Sequence, residues 1–156
     1  MMSATGASSD RIKPQLSLSV QYAAKPTDIP KRSEIRKWVR SALTVPAEIT
    51  FRIVDETEGR TLNRDFRQKD YATNVLTFFY SDTPILNGDI VLCAPVVTRE
   101  AKEQKISAEA HYAHLVVHGV LHLQGYDHVV DSDAVVMESL ETKIVTQLGY
   151  TNPYIE

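Results

Sequence analysis

Cysteine is almost absent from this chain. Cys93 is the single one among 156 residues, so no internal disulfide can form. It sits in the apolar run Ile90-Val91-Leu92-Cys93, where a small core residue is expected rather than a nucleophile. Long hydrophobic runs are missing as well: no stretch approaches the roughly 18 apolar residues that a membrane-crossing helix requires. Residues Met1 to Asp10 lack the charged and apolar regions of a secretory signal. These absences lead to the expectation of a cytoplasmic protein without a membrane partner. An excess of positive charge is also lacking, since 17 basic side chains face 20 acidic ones for a net charge of −3. A protein that grips long duplexes through their phosphates would be basic. Internal repeats and low-complexity tracts do not occur.

With 43% apolar residues the chain can bury one ordinary core, and it is too short for two comfortable domains. Residues 1–13, rich in small and polar types, are expected to be a disordered tail, and residues 14–156 one domain. Leu16, Leu18, Val20 and Tyr22 alternate with polar residues as in a strand. Ile35, Trp38, Val39, Ala42 and Leu43 follow helical spacing, which predicts a helix over about 30–43 with Pro30 near its start. Ile49, Phe51 and Ile53 alternate again, and a helix carrying Leu62 and Phe66 follows, its beginning blurred by Gly59. Strands are predicted over 73–79 and 88–93, and a helix over 95–104. Ser107 is placed to cap the next helix and Asp131 or Ser132 the last, which should stop at Gly149. The predicted fold is α+β: a single domain with a small mixed four-stranded sheet, about five helices, and a zincin-like metal-binding helix.

All five histidines lie between residues 111 and 128. His118, His122 and His128 form the pattern H-x3-H-x2-G-x2-H. On a helix, His118 and His122 share one face a turn apart and can aim both rings at one point. Gly125 can end the helix in a left-handed conformation and return the chain so that His128 supplies a third ligand. Three histidines leave a fourth position for water, which is the arrangement of catalytic rather than structural zinc. Chance placement of histidines on a solvated face fits poorly, because Ala113, Leu115, Val116, Val117, Val120, Leu121 and Leu123 make this helix mostly apolar. Metzincin proteases share the spacing, but zinc peptidases of the H-E-x-x-H type place their general base after the first histidine, and Gly119 cannot move a proton. Met137 is expected in the core rather than in a turn beneath a metal.

The run His114-Leu115-Val116-Val117-His118-Gly119-Val120-Leu121-His122-Leu123-Gln124-Gly125-Tyr126-Asp127-His128 resembles the signature of the YbeY family of bacterial metal-dependent endoribonucleases. The segments Leu62–Asp70 and Thr73–Phe78, then Gly88-Asp89-Ile90, and finally Leu148–Tyr154 are similar to further motifs of that family. Ala72 and Phe79 depart from it, since proline usually precedes the Thr-Asn-Val-Leu run and often follows it. The resemblance implies one zinc per chain and a single-strand-specific endoribonuclease acting in maturation of the 16S rRNA 3′ end and in ribosome quality control. It implies single-stranded RNA, notably rRNA, and the small ribosomal subunit or its proteins as partners.

Two further residues are candidates for catalysis. Arg67 is one of five basic residues between 52 and 70, matched there by five acidic ones, and composition alone would make it an ordinary surface charge. The resemblance implicates the arginine at this place in function. A planar, forked guanidinium suits the non-bridging oxygens of a phosphodiester, whose charge grows in the transition state. Asp127 could orient a ligating ring, shuttle a proton, or only shape the turn before His128. His111 and His114 lie near the ligand face as candidate outer-sphere or RNA-channel groups. Residues 10–40 carry eight basic against three acidic side chains, either a solvated helix face or a local phosphate guide. Two other functions stay open: a ribosome-assembly factor with a mainly structural metal, and a zinc peptidase, which Gly119 disfavours.

Overall fold

The computed structural model describes residues 13–24, 28–127 and 130–154. The expected tail falls almost wholly outside these residues, as does His128. Within them the order is β1 (Leu16–Tyr22), α1 (Arg32–Ala42), β2 (Ala47–Val54), α2 (Glu56–Arg67), β3 (Val75–Ser81), β4 (Leu86–Cys93), α3 (Ala94–Gln104), α4 (Ala108–Leu123) and α5 (Asp131–Gln147). The single α+β domain with a small mixed sheet is thus as predicted. The strands lie in the order β1-β2-β4-β3. β1 runs parallel to β2 and β2 to β4, whereas β3 pairs antiparallel to β4 and forms an edge.

Local chemistry fixes the helix starts. The Asp55 carboxylate accepts from the Glu58 N–H at 2.9 Å and opens α2, which runs through Gly59. Ser107 Oγ accepts from the Ala110 N–H at 3.0 Å and opens α4, as its sequence position predicts. Two boundaries differ from expectation. Pro30 precedes α1, whose first turn is secured where the Lys31 N–H donates to Glu34 Oε1 at 2.9 Å. Neither Asp131 nor Ser132 caps α5: Val130 occupies the cap position without a side-chain bond, and Asp131 already lies in the first turn. There its charge favours the helix N-terminus without a cap bond.

One face of the sheet packs against α1 and α4. Trp38, Val39, Phe51, Ile90, Val116, Val117 and Val120 share this core, and each is at most 1% exposed. A smaller cluster of Val54, Leu76, Val91, Cys93 and Val96, joined by Leu62 of α2, fills the other face. β4 is therefore buried on both sides, which explains its nearly continuous apolar sequence. Burial also pushes the Cys93 thiol pKa up, so the residue is an inert core group, as expected. Met137 is fully buried, in keeping with its predicted place in the core. No helix among the described residues is long and apolar enough to cross a membrane.

Two glycines set the height of α4 above the sheet. A Cβ at Gly119 would meet Ile90 Cδ1 at 3.0 Å, so its mid-helix position is explained by a packing neighbour. A Cβ at Gly88 would lie 2.8 Å from both Leu123 Cδ2 and the Phe78 carbonyl oxygen. The C-terminal end of α4, which carries His122, is thereby seated directly on β4.

Candidate metal centre and its surroundings

His118 and His122 project from α4 with ring centroids 6.3 Å apart and planes within 14° of parallel. Each ring is oriented through Nδ1. His118 Nδ1 lies 2.9 Å from Glu141 Oε2, and His122 Nδ1 lies 2.9 Å from the Tyr126 carbonyl oxygen. A carbonyl and an ionised carboxylate only accept, so both Nδ1 atoms carry the proton. In the neutral rings the lone pair is then on Nε2, the tautomer of a histidine that ligates a metal through Nε2 and is steadied by an outer acceptor.

Glu141 was not singled out by sequence, and it is the centre of the polar network around these rings. Its side chain is 1% exposed yet accepts three hydrogen bonds. They come from His114 Nε2 at 2.7 Å, His118 Nδ1 at 2.9 Å and the Tyr154 hydroxyl at 2.6 Å. Burial by itself would raise the carboxyl pKa. The bonds from His114 and His118, the attraction of His118 and the Tyr154 bond outweigh it and lower the pKa to about 2. Burial and the adjacent carboxylate push the Tyr154 hydroxyl up, so it remains a donor. A signal existed in the sequence: Met137, Glu141 and Val145 recur every fourth residue and are the buried positions of α5. A carboxylate in such a row needs partners.

His114 thus shares the Glu141 carboxylate with His118. His111 does not. It is 3% exposed and turned inward, with Nε2 2.8 Å from Glu100 Oε1. The same oxygen accepts from Asn74 Nδ2 at 2.9 Å, tying the start of β3 to α3 and α4. Its burial rules out a place in an RNA channel.

Beyond His122 the chain turns sharply. Gly125 adopts φ +104°, and the Tyr126 N–H returns to the Leu121 carbonyl at 3.2 Å. Gln124 Nε2 donates to the Ala42 carbonyl at 2.8 Å, and its Oε1 accepts from Thr44. This locks the end of α4 to the end of α1. Asp127 follows, half-buried. Among the described residues no three His, Cys, Asp or Glu side chains converge as a metal-binding group. The third predicted ligand, His128, lies outside them.

Arg67 ends α2, exposed, with Nη2 3.4 Å from the Thr77 carbonyl on the edge strand β3. Its neighbours are neutralised: Arg52 pairs with Glu58, Arg60 with Asp70 and Arg64 with Asp65. Among the described residues neither Arg67 nor Lys69 forms an ion pair. The basic run of residues 10–40 is partly structural, because Arg32 and Arg40 donate to the Val20 and Pro14 carbonyls. A cleft of about 760 Å³ opens beside His122, with Phe79, Asp82, Ile85 and Tyr126 among its walls.

A covering helix that presents two oriented imidazoles above a small mixed sheet defines a single-domain α+β protein of the histidine-bearing kind. The family model described as endoribonuclease YbeY matches residues 19–149, and the chain belongs to that family. The chain is 65% identical to endoribonuclease YbeY of Nitrosomonas eutropha, over 88% of this chain and 98% of that protein. It is 63% identical to the Nitrosomonas europaea protein of the same name, over 90% of this chain and 86% of the relative. The Methylobacillus flagellatus protein is 58% identical over 90% and 95% of the two chains. The fold is similar to the solution structure of TM1509 from Thermotoga maritima, with a TM-score of 0.62 and 24% identity. That match covers 89% of this chain and 99% of the other.

Proposed function

We propose that the protein is a zinc-dependent, single-strand-specific endoribonuclease that works on ribosomal RNA in the cytoplasm, in maturation of the 16S rRNA 3′ end and in ribosome quality control. The small ribosomal subunit or its proteins would be its partner, compensating for the weak overall charge. Endonucleolytic cleavage of RNA is the activity of the family to which the chain belongs. The metal dependence rests on one observation: His118 and His122 share a tautomer, each Nδ1 tied to an acceptor and each Nε2 bearing the lone pair. These two residues fit zinc, and His128 would complete a set of three for one ion per chain. When bound, zinc supplies Lewis acidity toward a phosphoryl oxygen and toward water.

The other tasks fall to side chains. Arg67 would hold the non-bridging oxygens of the phosphodiester, its fork matched to two of them, and so stabilise the charge that develops there. Asp127 would orient a ligating ring or carry a proton. Glu141 holds His118 in its ligating tautomer. The domain, residues 14–156, would not need zinc to fold, since Val116, Val117 and Val120 anchor α4 in the core without help from the histidines.

Parent and His122→Ala proteins, supplied with zinc, should be offered an unstructured RNA and an unstructured peptide side by side. Cleavage of RNA only, abolished in His122→Ala, is the expected result. Peptide cleavage, or RNA cleavage that survives the substitution, would overturn the proposal. His122→Ala should stay folded while losing zinc; its unfolding would make the metal structural.

A further inference from the structure

The cleft beside His122 is built for something other than a phosphate. Its lining contains no lysine or arginine and one carboxylate, Asp82, so apart from the metal that His122 would hold at one end, an anion entering it meets no cation and one like charge. Its walls mix polar groups with exposed apolar and aromatic side chains. Phe79 lines it while remaining 55% exposed, and Tyr126 and Ile85 are each 37% exposed. The volume of about 760 Å³ falls in the range of small-molecule sites.

Neighbouring aromatic rings are already engaged. Phe78 meets Phe66 edge-on at 5.4 Å, and the Tyr80 hydroxyl donates to Asp89 Oδ2 at 2.7 Å. Among the described residues Phe79 has no ring partner. The pairing of β3 with β4 is irregular between Phe79 and Ser81, the kind of bulge that re-aims a side chain beside a site.

We propose that this cleft is a nucleobase subsite: one unpaired base of the RNA stacks on Phe79, with Tyr126 on the cleft wall, and its neighbouring phosphodiester is thereby set at His122. The proposal rests on the endoribonuclease function proposed above and names how that site recognises its substrate. It would favour single strands in this chain. A base stacked and paired within a duplex cannot enter, whereas an unpaired base offers its π face to an aromatic side chain whatever its identity. The lack of lysine and arginine in the cleft complements this division, with the base against Phe79 and the phosphate at the His122 end.

The test compares steady-state cleavage by zinc-loaded parent, Phe79→Leu and Phe79→Trp proteins on one short unstructured RNA, and on versions carrying a single abasic nucleotide at successive positions. Phe79 is exposed, so both variants should fold. Phe79→Leu should raise KM about tenfold with kcat little changed, the loss of one base–aromatic stack. Phe79→Trp should keep the parent KM. One abasic position should reproduce the loss in the parent and add nothing in Phe79→Leu. A parent that cleaves RNA while Phe79→Leu matches it in KM, or losses that add, would overturn the base subsite and leave the nuclease standing. A parent inert on RNA would overturn both.

Discussion

Replacing Glu141 by glutamine should destabilise the metal-free protein by about 3 kcal/mol at neutral pH. Glutamine keeps the shape but removes the charge, mimicking the protonated acid. The carboxyl pKa is lowered from 4.5 to about 2 in the folded protein. At about 1.36 kcal/mol per pH unit, this makes the ionised form worth roughly 3 kcal/mol to the fold. The side chain is 1% exposed, so solvent screening takes little from that figure. The sign with pH follows from a depressed folded pKa. The stabilisation is complete above about pH 4.5 and is lost as pH falls toward 2. Urea unfolding of parent and Glu141→Gln with zinc chelated, from pH 7 down to pH 3, should therefore show a deficit that shrinks below pH 4.5. In thermal melts at pH 7 the deficit should be roughly 6–12 °C. Zinc affinity should drop about 10–100-fold, because the acceptor that fixes the His118 tautomer is weakened. Equal stability at pH 7, or a deficit that does not shrink in acid, would refute the assignment of Glu141 as an ionised, stabilising acceptor for His114 and His118.

Arg67→Ala should bind zinc and unfold like the parent yet lose about 2–4 kcal/mol of transition-state stabilisation, read as kcat on unstructured RNA at matched zinc and salt. Arg67→Lys should recover little of it, because the forked donor is gone. Gly88→Ala should destabilise by roughly 1–3 kcal/mol or more in denaturant melts. The new Cβ would sit 2.8 Å from the Phe78 carbonyl, and backbone cannot step aside as a side-chain tip can.

Sequence alone determined what is local. The alternation at Leu16–Tyr22 and the helical spacing around Trp38 report the burial of one face of an element, and that periodicity is written in consecutive residues. Caps work the same way: Ser107 acts within three residues of itself. The spacing of His118 and His122 also needed only helix geometry. Strand order was not legible, because the pattern of β4 says it is buried on both faces without saying that β2 and β3 are its neighbours. The boundaries at Pro30 and Val130 were missed for a related reason: several residues can open a helix, and packing selects among them. Glu141 stands 23 positions from His118, and an acid in a long helix reads as solvent-facing until α5 is laid against α4. His111 and His118 share a residue type and a helix, yet one is turned toward Glu100 inside and the other toward Glu141 beside the candidate metal centre. Partners for buried charge come from other elements, so only the tertiary structure could decide which histidine each carboxylate meets.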